Sequence, residues 1–249
     1  MSDVIEIPDN LALAVRRAQR VAVLTGAGVS AESGIPTFRD AQTGLWAKYE
    51  PEQFVSVDGF QRNPKLVWEW HQWLRELARN AQPNPGHLAL ARLERLAPHF
   101  ALATQNIDDL HERAGSRNVL HLHGNMYVTL CSRERRVLKE EDLDHSSVPP
   151  RCSCGAYARP GEVWFGEALP EDVFAAAIRA MEECDLCLII GTSAVVQPAA
   201  GLVRLTPPRA TRVLINPQRT GHASLSDYLL LAPAGQALPA LVDAAFGKE

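Results

Sequence analysis

The chain has 249 residues and a formal net charge of −4, and 46% of its residues are hydrophobic and 22% charged. This balance is typical of a globular protein with one large domain, or of a domain with an insertion, and it lacks the basic excess of direct nucleic-acid binders. Because the chain has no apolar run of about 18 residues, no secretory signal and an odd number of cysteines, we expect no membrane span, no disulfide scaffold and a cytoplasmic location.

Apolar periodicity predicts strands that alternate with helices. A helix is expected over 10–19. The strand candidates are 21–25, 100–104, 118–122, 186–190, 211–215 and 228–231. The later helix candidates are 64–80, 86–96, 107–114, 170–182, 198–205 and 236–246. This order predicts an α/β fold, a Rossmann-like parallel sheet with helices on both faces.

Two segments, 35–84 and 124–165, do not fit a minimal sheet of this kind. The first is mostly helical and rich in tryptophan, and the second holds three of the five cysteines. We expect these inserted segments to form a smaller lobe. Residues 1–34, 85–123 and 166–249 would then form the Rossmann-like domain, with the active site in the cleft between the two parts.

A glycine-rich turn follows the first strand candidate. Gly26, Gly28 and Ala31 have the G-x-G-x-x-(G/A) spacing, in which backbone amides at a helix N-terminus bind a pyrophosphate. That spacing alone is a weak signal. The sequence GIPTFRD at 34–40 then breaks the helix early, which a simple dehydrogenase fingerprint does not do.

The motifs further along the chain are more specific. Together with GAGVSAESGIPTFRD at 26–40, the chain carries TQNIDDLHERAG at 104–115, HLHGN at 121–125, RPGEVWFGE at 159–167, GTSAVVQPAA at 191–200 and INP at 215–217. In kind and order these motifs resemble the sirtuin family of NAD-dependent protein lysine deacylases, and the closest resemblance is to its short bacterial members. The resemblance runs from about residue 15 to the C-terminus.

The resemblance implies NAD as cofactor and assigns the residues that would bind it. They are Gly26, Ala27, Gly28, Ala31, Phe38, Arg39, Gln105, Asn106, Ile107, Asp108, Gly191, Thr192, Ser193 and Asn216. Asn106 and Asp108 would form the nicotinamide pocket, with Phe38 and Ile107 as dry walls around C1′. From the residues alone, Asn106 and Asp108 could equally cap the following helix, and 191–193 could be a plain turn.

His123 follows an apolar strand candidate, at the sheet edge where ligands of α/β proteins bind. A lone histidine there could be structural, but HGN at 123–125 resembles the family's catalytic motif. The resemblance implies that His123 is the general base towards a ribose hydroxyl and that Asn106 assists catalysis. In the implied reaction the acyl-lysine amide oxygen attacks C1′ as nicotinamide leaves, and water then releases lysine and O-acyl-ADP-ribose.

Residues 163–167 resemble the family's peptide-binding segment. Val163, Phe165, Gly166 and Glu167 would bind an acyl-lysine protein or peptide substrate, which would pair with them as an added strand. On local evidence the segment could instead be a buried aromatic strand at the junction of the lobes. Trp164 is expected to be buried in either case.

The acyl pocket departs from part of the family. Members that prefer succinyl or malonyl groups carry Tyr-x-x-Arg on a helix of the small lobe. In the matching helix of this chain, His71 and Leu74 stand at those positions and Arg75 lies one residue further on. No Tyr-x-x-Arg occurs, and three tryptophans make the helix apolar. The sequence therefore predicts a preference for acetyl or longer aliphatic groups over succinyl.

The cysteines also depart from the family pattern, in which two C-x-x-C pairs bind structural zinc. Cys131 is followed by Glu134 at the position of the second thiol, and Cys152 and Cys154 are one residue too close together. Cys131, Cys152 and Cys154 are thus candidate metal ligands, with Glu134 or His145 as the fourth. The slightly favoured alternative is a zinc-free lobe held by apolar contacts. The remaining two cysteines are expected in the core.

Two other functions stay open. A protein mono-ADP-ribosyltransferase would use the same first step with a different acceptor, and a non-catalytic NAD or ADP-ribose sensor would bind without reaction. The presence of Asn106, Asp108 and His123 argues against the sensor, because a sensor need not keep a general base. A hydride-transferring dehydrogenase is disfavoured by the early helix break after Gly34.

Overall fold

The computed structural model describes residues 5–36 and 50–248. Its α-helices are α1 (Asp9–Arg17), α2 (Gly28–Ala31), α3 (Val57–Arg62), α4 (Pro64–Asn80), α5 (Pro85–Leu96), α6 (Leu110–Arg113), α7 (Glu171–Glu183) and α8 (Ala234–Phe246). Its strands are β1 (Arg20–Thr25), β2 (His99–Thr104), β3 (Val119–His121), β4 (Gly124–Cys131), β5 (Leu143–Asp144), β6 (Arg151–Cys152), β7 (Ala158–Glu162), β8 (Leu186–Ile190), β9 (Thr211–Ile215) and β10 (Tyr228–Leu230). Short 3₁₀ helices occupy Pro51–Gln53, Glu140–Asp142, Ala199–Leu205 and Gly221–Leu225.

Six strands form one parallel sheet in the order β10-β9-β8-β1-β2-β3. The central strands are apolar along nearly their whole length because both faces of the sheet are covered. Thr25 at the end of β1 lies opposite Thr104 of β2 and Ile190 of β8. The carboxyl ends of these three strands therefore lie level at one edge of the sheet.

The strand order reverses at β1. The chain adds β2 and β3 on one side of β1, and β8, β9 and β10 on the other. Ligands of open α/β sheets bind in the crevice outside the carboxyl ends at such a point. The crevice of this sheet lies between the turns that follow β1 and β8.

Apolar clusters cover both faces of the sheet. One packs α1, α5 and α8 against it, and the other packs α7 and the 3₁₀ helix Ala199–Leu205 against the opposite face. The predicted α/β fold, a parallel sheet between helical layers, is thereby confirmed. Among residues 5–36 and 50–248 we find no helix with the length and apolar character of a membrane span.

The two inserted segments pack on each other away from the main sheet. Trp68 of α4 lies in one buried cluster with Cys131 and Cys152. Val67 of α4 lies in another with Trp164. Strands β4 and β7 pair with each other in an antiparallel sheet of their own. This packing supports a smaller inserted lobe, and the domain boundaries given above stay a prediction.

Asparagine side chains cap the N-termini of two long helices, α4 and α5. Asn63 Oδ1 accepts the Leu66 N–H at 3.1 Å before α4, and Asn84 Oδ1 accepts the Gly86 N–H at 2.9 Å before α5. Each asparagine is followed by a proline at the first helical position, where a missing N–H costs nothing.

Two predicted helices were wrong in extent or type. The expected helix at 107–114 is helical only over Leu110–Arg113, because the Asp108 carboxylate accepts the Leu110 N–H at 3.1 Å and begins the helix there. The expected helix at 198–205 is a 3₁₀ helix over Ala199–Leu205. A glycine within it, Gly201, disfavours regular α-helix.

Candidate active site

The turns after β1 and β8 contact each other directly. The Gly28 N–H donates to the Gly191 carbonyl at 2.9 Å, and the Gly26 N–H donates to the Ile190 carbonyl at 3.0 Å. A Cβ on Gly28 would lie 2.8 Å from the Gly191 Cα, and Gly191 has a φ of +59°. Only glycine allows this approach and this conformation at low cost. The result is a backbone-lined crevice that suits a pyrophosphate.

Most of the predicted NAD-binding residues meet at this crevice. They follow four strands of the sheet. The turn after β1 holds Gly26, Ala27, Gly28 and Ala31, and the residues after β2 are Gln105, Asn106, Ile107 and Asp108. The turn after β8 holds Gly191, Thr192 and Ser193, and the residue after β9 is Asn216. Gln105 Nε2 donates to Thr192 Oγ1 at 2.9 Å, which joins the ends of β2 and β8 across β1. The predicted contacts of Phe38 and Arg39 lie outside the described residues.

Asn106 and Asp108 share one buried hydroxyl, that of Ser30. Ser30 Oγ donates to Asp108 Oδ2 at 2.9 Å and accepts from Asn106 Nδ2 at 3.0 Å. Burial raises the pKa of Asp108, against hydrogen bonds from the Leu110 N–H and the Ser30 hydroxyl that lower it. This donor and acceptor set matches a carboxamide such as that of nicotinamide, which both donates and accepts hydrogen bonds.

Ser30 and two threonine hydroxyls beneath the pocket are site groups that the sequence motifs did not indicate. Thr25 Oγ1 donates to Thr104 Oγ1 at 2.8 Å, and Thr104 Oγ1 accepts the Asn106 backbone N–H at 3.0 Å. His111 Nε2 lies 3.1 Å from Thr25 Oγ1. The available signal was a threonine at the end of each of two apolar strands.

His123 lies two residues beyond β3, beside the end of β2. Its Nδ1 is 3.0 Å from the Gln105 carbonyl oxygen. Because a carbonyl only accepts hydrogen bonds, Nδ1 carries the proton and Nε2 is the basic nitrogen. Burial lowers the pKa of His123, against the opposite effects of the Gln105 carbonyl and Glu162. The His123 imidazole is therefore neutral near pH 7 and can accept a proton.

The predicted peptide-binding segment lies next to His123. The Val163 N–H donates to the His123 carbonyl at 2.9 Å. Two residues later the Phe165 N–H donates to the Val55 carbonyl at 2.8 Å, and the Phe165 side chain is exposed. A Cβ on Gly166 would meet no atom of the described residues within 4 Å. The segment thus connects the inserted segments to the sheet edge where His123 lies.

Glu167 holds this segment in place. Its carboxylate accepts from Arg159 Nη1 at 2.7 Å and from the Trp164 N–H at 2.9 Å, and Arg135 Nη1 is 2.7 Å away. Trp164 is buried, as expected. Since the Glu167 carboxylate is engaged within the protein, its contact with a substrate stays a prediction.

Arg75, the cation one residue beyond the predicted acyl-pocket positions, is already engaged. Arg75 is buried, with Nε donating to the Met126 carbonyl at 2.5 Å and Nη2 to the Val128 carbonyl at 3.1 Å. Leu74 is buried in an apolar cluster with Trp70. The positions matched to Tyr-x-x-Arg, His71 and Leu74, are both buried and neither is an arginine.

The thiol cluster of the inserted segment is compact enough for a metal ion. The ligand atoms of four side chains lie within 4.8 Å of one another: Cys131, Glu134, Cys152 and Cys154. Cys131 Sγ and Cys154 Sγ are 3.5 Å apart. A tetrahedral zinc ion with bonds of about 2.3 Å to sulfur separates two thiolates by roughly 3.8 Å, so this donor set is compatible with zinc. Glu134, whose carboxylate also accepts from Arg136 Nε at 2.9 Å, belongs to this group, whereas His145 lies outside it and pairs with Glu140 at 2.8 Å.

The remaining two cysteines, Cys184 and Cys187, belong to the core, as predicted. Cys184 and Cys187 are fully buried between α7 and the main sheet. Burial raises the pKa of Cys184 to about 11, which keeps its thiol protonated and unreactive near neutral pH.

Comparison with known proteins gives one consistent family. A model described as the Sir2 family matches residues 26–198. The NAD-dependent protein deacylase 1 of Pseudomonas aeruginosa is 48% identical over 240 residues, which cover 92% of this chain and 95% of that protein.

Two solved structures resemble the fold over nearly its full length. A Sir2 homologue in complex with NAD matches with a TM-score of 0.89 at 43% identity and covers 98% of this chain and 96% of the other. A Sir2 protein bound to an acetylated peptide matches with a TM-score of 0.84 at 31% identity and covers 96% of this chain and 98% of the other.

Proposed function

The chain belongs to the Sir2 family and is an NAD-dependent protein deacylase, and from this premise we propose that it removes acetyl groups from protein lysines in preference to succinyl groups. The proposed products are free lysine, nicotinamide and O-acyl-ADP-ribose. We also propose roles in this reaction for Asn106, Ile107, Asp108 and His123.

The observation that carries the proposal is the arrangement of His123 beside the Asn106–Ser30–Asp108 group. When bound, NAD supplies a reactive glycosidic bond and the ribose that accepts the acyl group. Asn106 and Asp108 would orient the carboxamide through hydrogen bonds, and Ile107 would exclude water from the reacting carbon. His123 Nε2 would accept the proton of a ribose hydroxyl while the Gln105 carbonyl holds Nδ1–H.

The acyl preference is supported by the charges around the pocket. Arg75 donates to two carbonyl oxygens and is not available to a succinyl carboxylate. Glu162, which contacts His71 of α4, is a buried acid in the same region. A second carboxylate buried in this region without a cation of its own is disfavoured by desolvation.

The decisive experiment is incubation of the protein with NAD and one peptide that carries acetyl-, butyryl- or succinyl-lysine, with mass detection of all products. We expect acetyl turnover at least about tenfold above succinyl turnover, since a buried uncompensated charge is costly. Comparable rates for acetyl and succinyl would contradict the acyl preference.

The same reactions separate the two alternative functions. Transfer of labelled ADP-ribose from NAD onto protein, without release of O-acyl-ADP-ribose, would indicate a mono-ADP-ribosyltransferase. Binding of NAD with no product at all would indicate a sensor. A cytoplasmic location and the lack of direct nucleic-acid binding stay predictions.

A further inference from the structure

Both ring nitrogens of His121, the last residue of β3, contact acceptor atoms. Nδ1 is 3.2 Å from the Asn106 carbonyl oxygen, and Nε2 is 2.6 Å from Glu112 Oε1. Carbonyl and carboxylate oxygens only accept hydrogen bonds, so each of these two contacts needs an N–H. A neutral imidazole has one N–H, whereas the imidazolium has two. The geometry therefore requires the His121 ring to be protonated.

The charges around His121 favour the same protonation state. Burial lowers the pKa of His121, but the hydrogen bond and the charge of Glu112 raise it. The Asn106 carbonyl and the charge of Asp108 raise it further, and the net pKa lies above the usual value. His111, which precedes Glu112 on α6, stays neutral because burial holds its pKa well below the usual value. The titratable groups that act on His121 are thus two acids and one neutral imidazole.

The positive charge on His121 also acts on the acid of the nicotinamide pocket. Burial raises the pKa of Asp108, and the charge of His121 is among the effects that lower it. The Asp108 carboxylate accepts the Leu110 N–H and the Ser30 hydroxyl. Only the ionised carboxylate is free of a proton of its own and can accept from a carboxamide N–H at either oxygen. Proton loss from His121 would therefore disfavour the form of Asp108 that suits nicotinamide.

Asn106, the other polar residue of the pocket, is held by hydrogen bonds to three different elements. Its backbone N–H donates to Thr104 Oγ1 of β2 at 3.0 Å, and its Nδ2 donates to Ser30 Oγ of α2 at 3.0 Å. Because β3 pairs with β2 so that His121 lies opposite Thr104, the His121 ring reaches the Asn106 carbonyl and supplies the third bond. Side chains of a site keep their orientation when surrounding hydrogen bonds fix them in this way.

His121 and His123 hold two successive carbonyls in different charge states. His123 Nδ1 is 3.0 Å from the Gln105 carbonyl, and His121 Nδ1 contacts the carbonyl of the next residue, Asn106. Burial lowers the pKa of His123, whereas the acidic neighbours of His121 raise the pKa of that ring above its usual value. Environments that move two pKa values apart in one site indicate two separate roles. His123 can accept a proton, and His121 already carries one on each nitrogen.

We propose that His121 is a positioning residue of the nicotinamide pocket and that the pocket binds NAD tightly only while the His121 ring carries both protons. This inference rests on the proposed function and adds a controlling group to the same site. Proton loss leaves one N–H for two acceptors, so either Asn106 or Glu112 loses its contact, and Asp108 loses a nearby positive charge. NAD binding should therefore weaken as pH rises through the pKa of His121.

The protonation state of the ring can be measured directly, without turnover, by nitrogen NMR of the labelled protein. Near pH 7 we expect His121 to show two protonated ring nitrogens and His123 to show one. His99, exposed at the start of β2, gives the reference titration of an imidazole in water. Glu112→Gln removes the neighbouring carboxylate and should lower the pKa of His121. A neutral His121 ring near pH 7 would overturn the inference.

The second measurement is NAD affinity by calorimetry, between about pH 6 and pH 9, together with the KM values for NAD and for an acetyl-lysine peptide. In the unmodified protein, affinity should fall on the alkaline side, and in Glu112→Gln the fall should begin at lower pH. His121→Gln keeps a donor for the Asn106 carbonyl but does not titrate, so the fall should disappear. His121→Leu should raise the KM for NAD at least about fivefold and leave the KM for the peptide nearly unchanged. His99→Gln is the matched control and should follow the unmodified protein.

An alkaline fall in NAD affinity that persists in His121→Gln, or no such fall in the unmodified protein, would overturn the inference. An equal rise of both KM values in His121→Leu would do the same, because a merely structural loss acts on both substrates. If His121→Leu does not fold, the ring protonation and the pH profiles of His121→Gln and Glu112→Gln still decide. Turnover of acetyl-lysine with an unaltered profile in these variants defeats only this inference, whereas no turnover of any acyl-lysine by the unmodified protein defeats the proposed function.

Discussion

At position 123, one hydrogen bond sets the chemistry of the ring. The Gln105 carbonyl accepts from His123 Nδ1, and burial lowers the pKa of the imidazole. The ring is therefore neutral near pH 7 with its basic nitrogen on the Nε2 side. The neighbouring polar side chains, Asn106 and Asp108, hydrogen-bond to Ser30. Proton removal and carboxamide binding are thus assigned to separate side chains.

Replacement of the base tests that separation. We expect His123→Ala to lose more than about 100-fold in deacylation rate, the scale of general acid–base catalysis, while its affinity for NAD stays near that of the unmodified protein. The measurements are single-turnover rates and calorimetric binding of NAD. His99→Ala, exposed at the start of β2 on the opposite sheet edge, is the control. An active His123→Ala variant would rule out the assigned role.

At the scale of elements, the crevice depends on how closely two turns approach. A Cβ on Gly191 would lie 2.5 Å from the Val29 backbone nitrogen, and the φ of +59° is unfavourable for any other residue. The turn after β8 and the start of α2 therefore form one rigid unit. Its shape decides whether a pyrophosphate can lie on the backbone amides.

We expect Gly191→Ala to raise the KM for NAD at least tenfold and to reduce stability by about 1–3 kcal/mol, the usual cost of such backbone strain. Urea unfolding and steady-state kinetics measure the two effects. Gly201→Ala is the matched control, because its nearest neighbour is the flexible end of Gln197 at 3.1 Å. Unchanged NAD kinetics in Gly191→Ala would show that the turn does not contact the cofactor.

The thiol cluster joins three short stretches of chain: the end of β4 with its following turn, the end of β6, and the second residue after β6. Its donor set of three thiols and one carboxylate is compatible with zinc. Carboxylate oxygen is a harder ligand than thiolate and binds zinc less tightly. The departure from four cysteines therefore predicts a weaker metal site rather than none.

We expect the purified protein to hold about one zinc ion, with affinity measured by competition with a chromophoric chelator. Glu134→Cys should bind zinc at least tenfold more tightly, and Glu134→Ala at least tenfold less tightly. His145→Ala should match the unmodified protein, because His145 lies outside the ligand group. Equal affinity for the two Glu134 variants would exclude that residue as a ligand.

For the molecule as a whole, two buried histidines relate stability to pH. His87 of α5 and His111 of α6 have ring centroids 4.9 Å apart and are at most 1% exposed. Burial lowers the pKa of His87 to about 4, and burial together with His87 lowers the pKa of His111 well below its usual value. The unfolded chain therefore binds more protons than the native protein between about pH 6.5 and pH 4, and stability falls as pH falls through that window.

A shift of this size corresponds to about 3 kcal/mol for His87 alone. Urea unfolding at pH 7.5, 5.5 and 4.5 should show this loss. His87→Gln should lose less stability on acidification, because its side chain does not titrate. His99→Gln, at an exposed position, should follow the unmodified protein. The same pH slope in His87→Gln would mean that other groups cause the acid sensitivity.

The sequence predicted those strands and helices whose formation depends on residues adjacent in the chain. The strands at 186–190 and 211–215 were predicted at their observed ends, because a buried parallel strand reads as an uninterrupted apolar run. Asn63 and Asn84 cap helices that were predicted within one residue of their observed starts, since each cap and the proline after it are adjacent in sequence. The motifs likewise sufficed for the family, which the comparisons confirm.

Contacts between distant residues were decided only by the tertiary structure. The hydroxyl of Ser30 joins Asn106 and Asp108 across 76 and 78 residues of sequence, and His71 meets Glu162 across 91. The tertiary structure likewise places Glu134, and not His145, beside the three thiols. Sequence periodicity indicates which residues form strands and helices, but side chains this far apart meet only when strand register and helix packing place them together. The sequence by itself thus determined the fold class and the family, and the packing of the chain decided the hydrogen bonds and charges on which specificity depends.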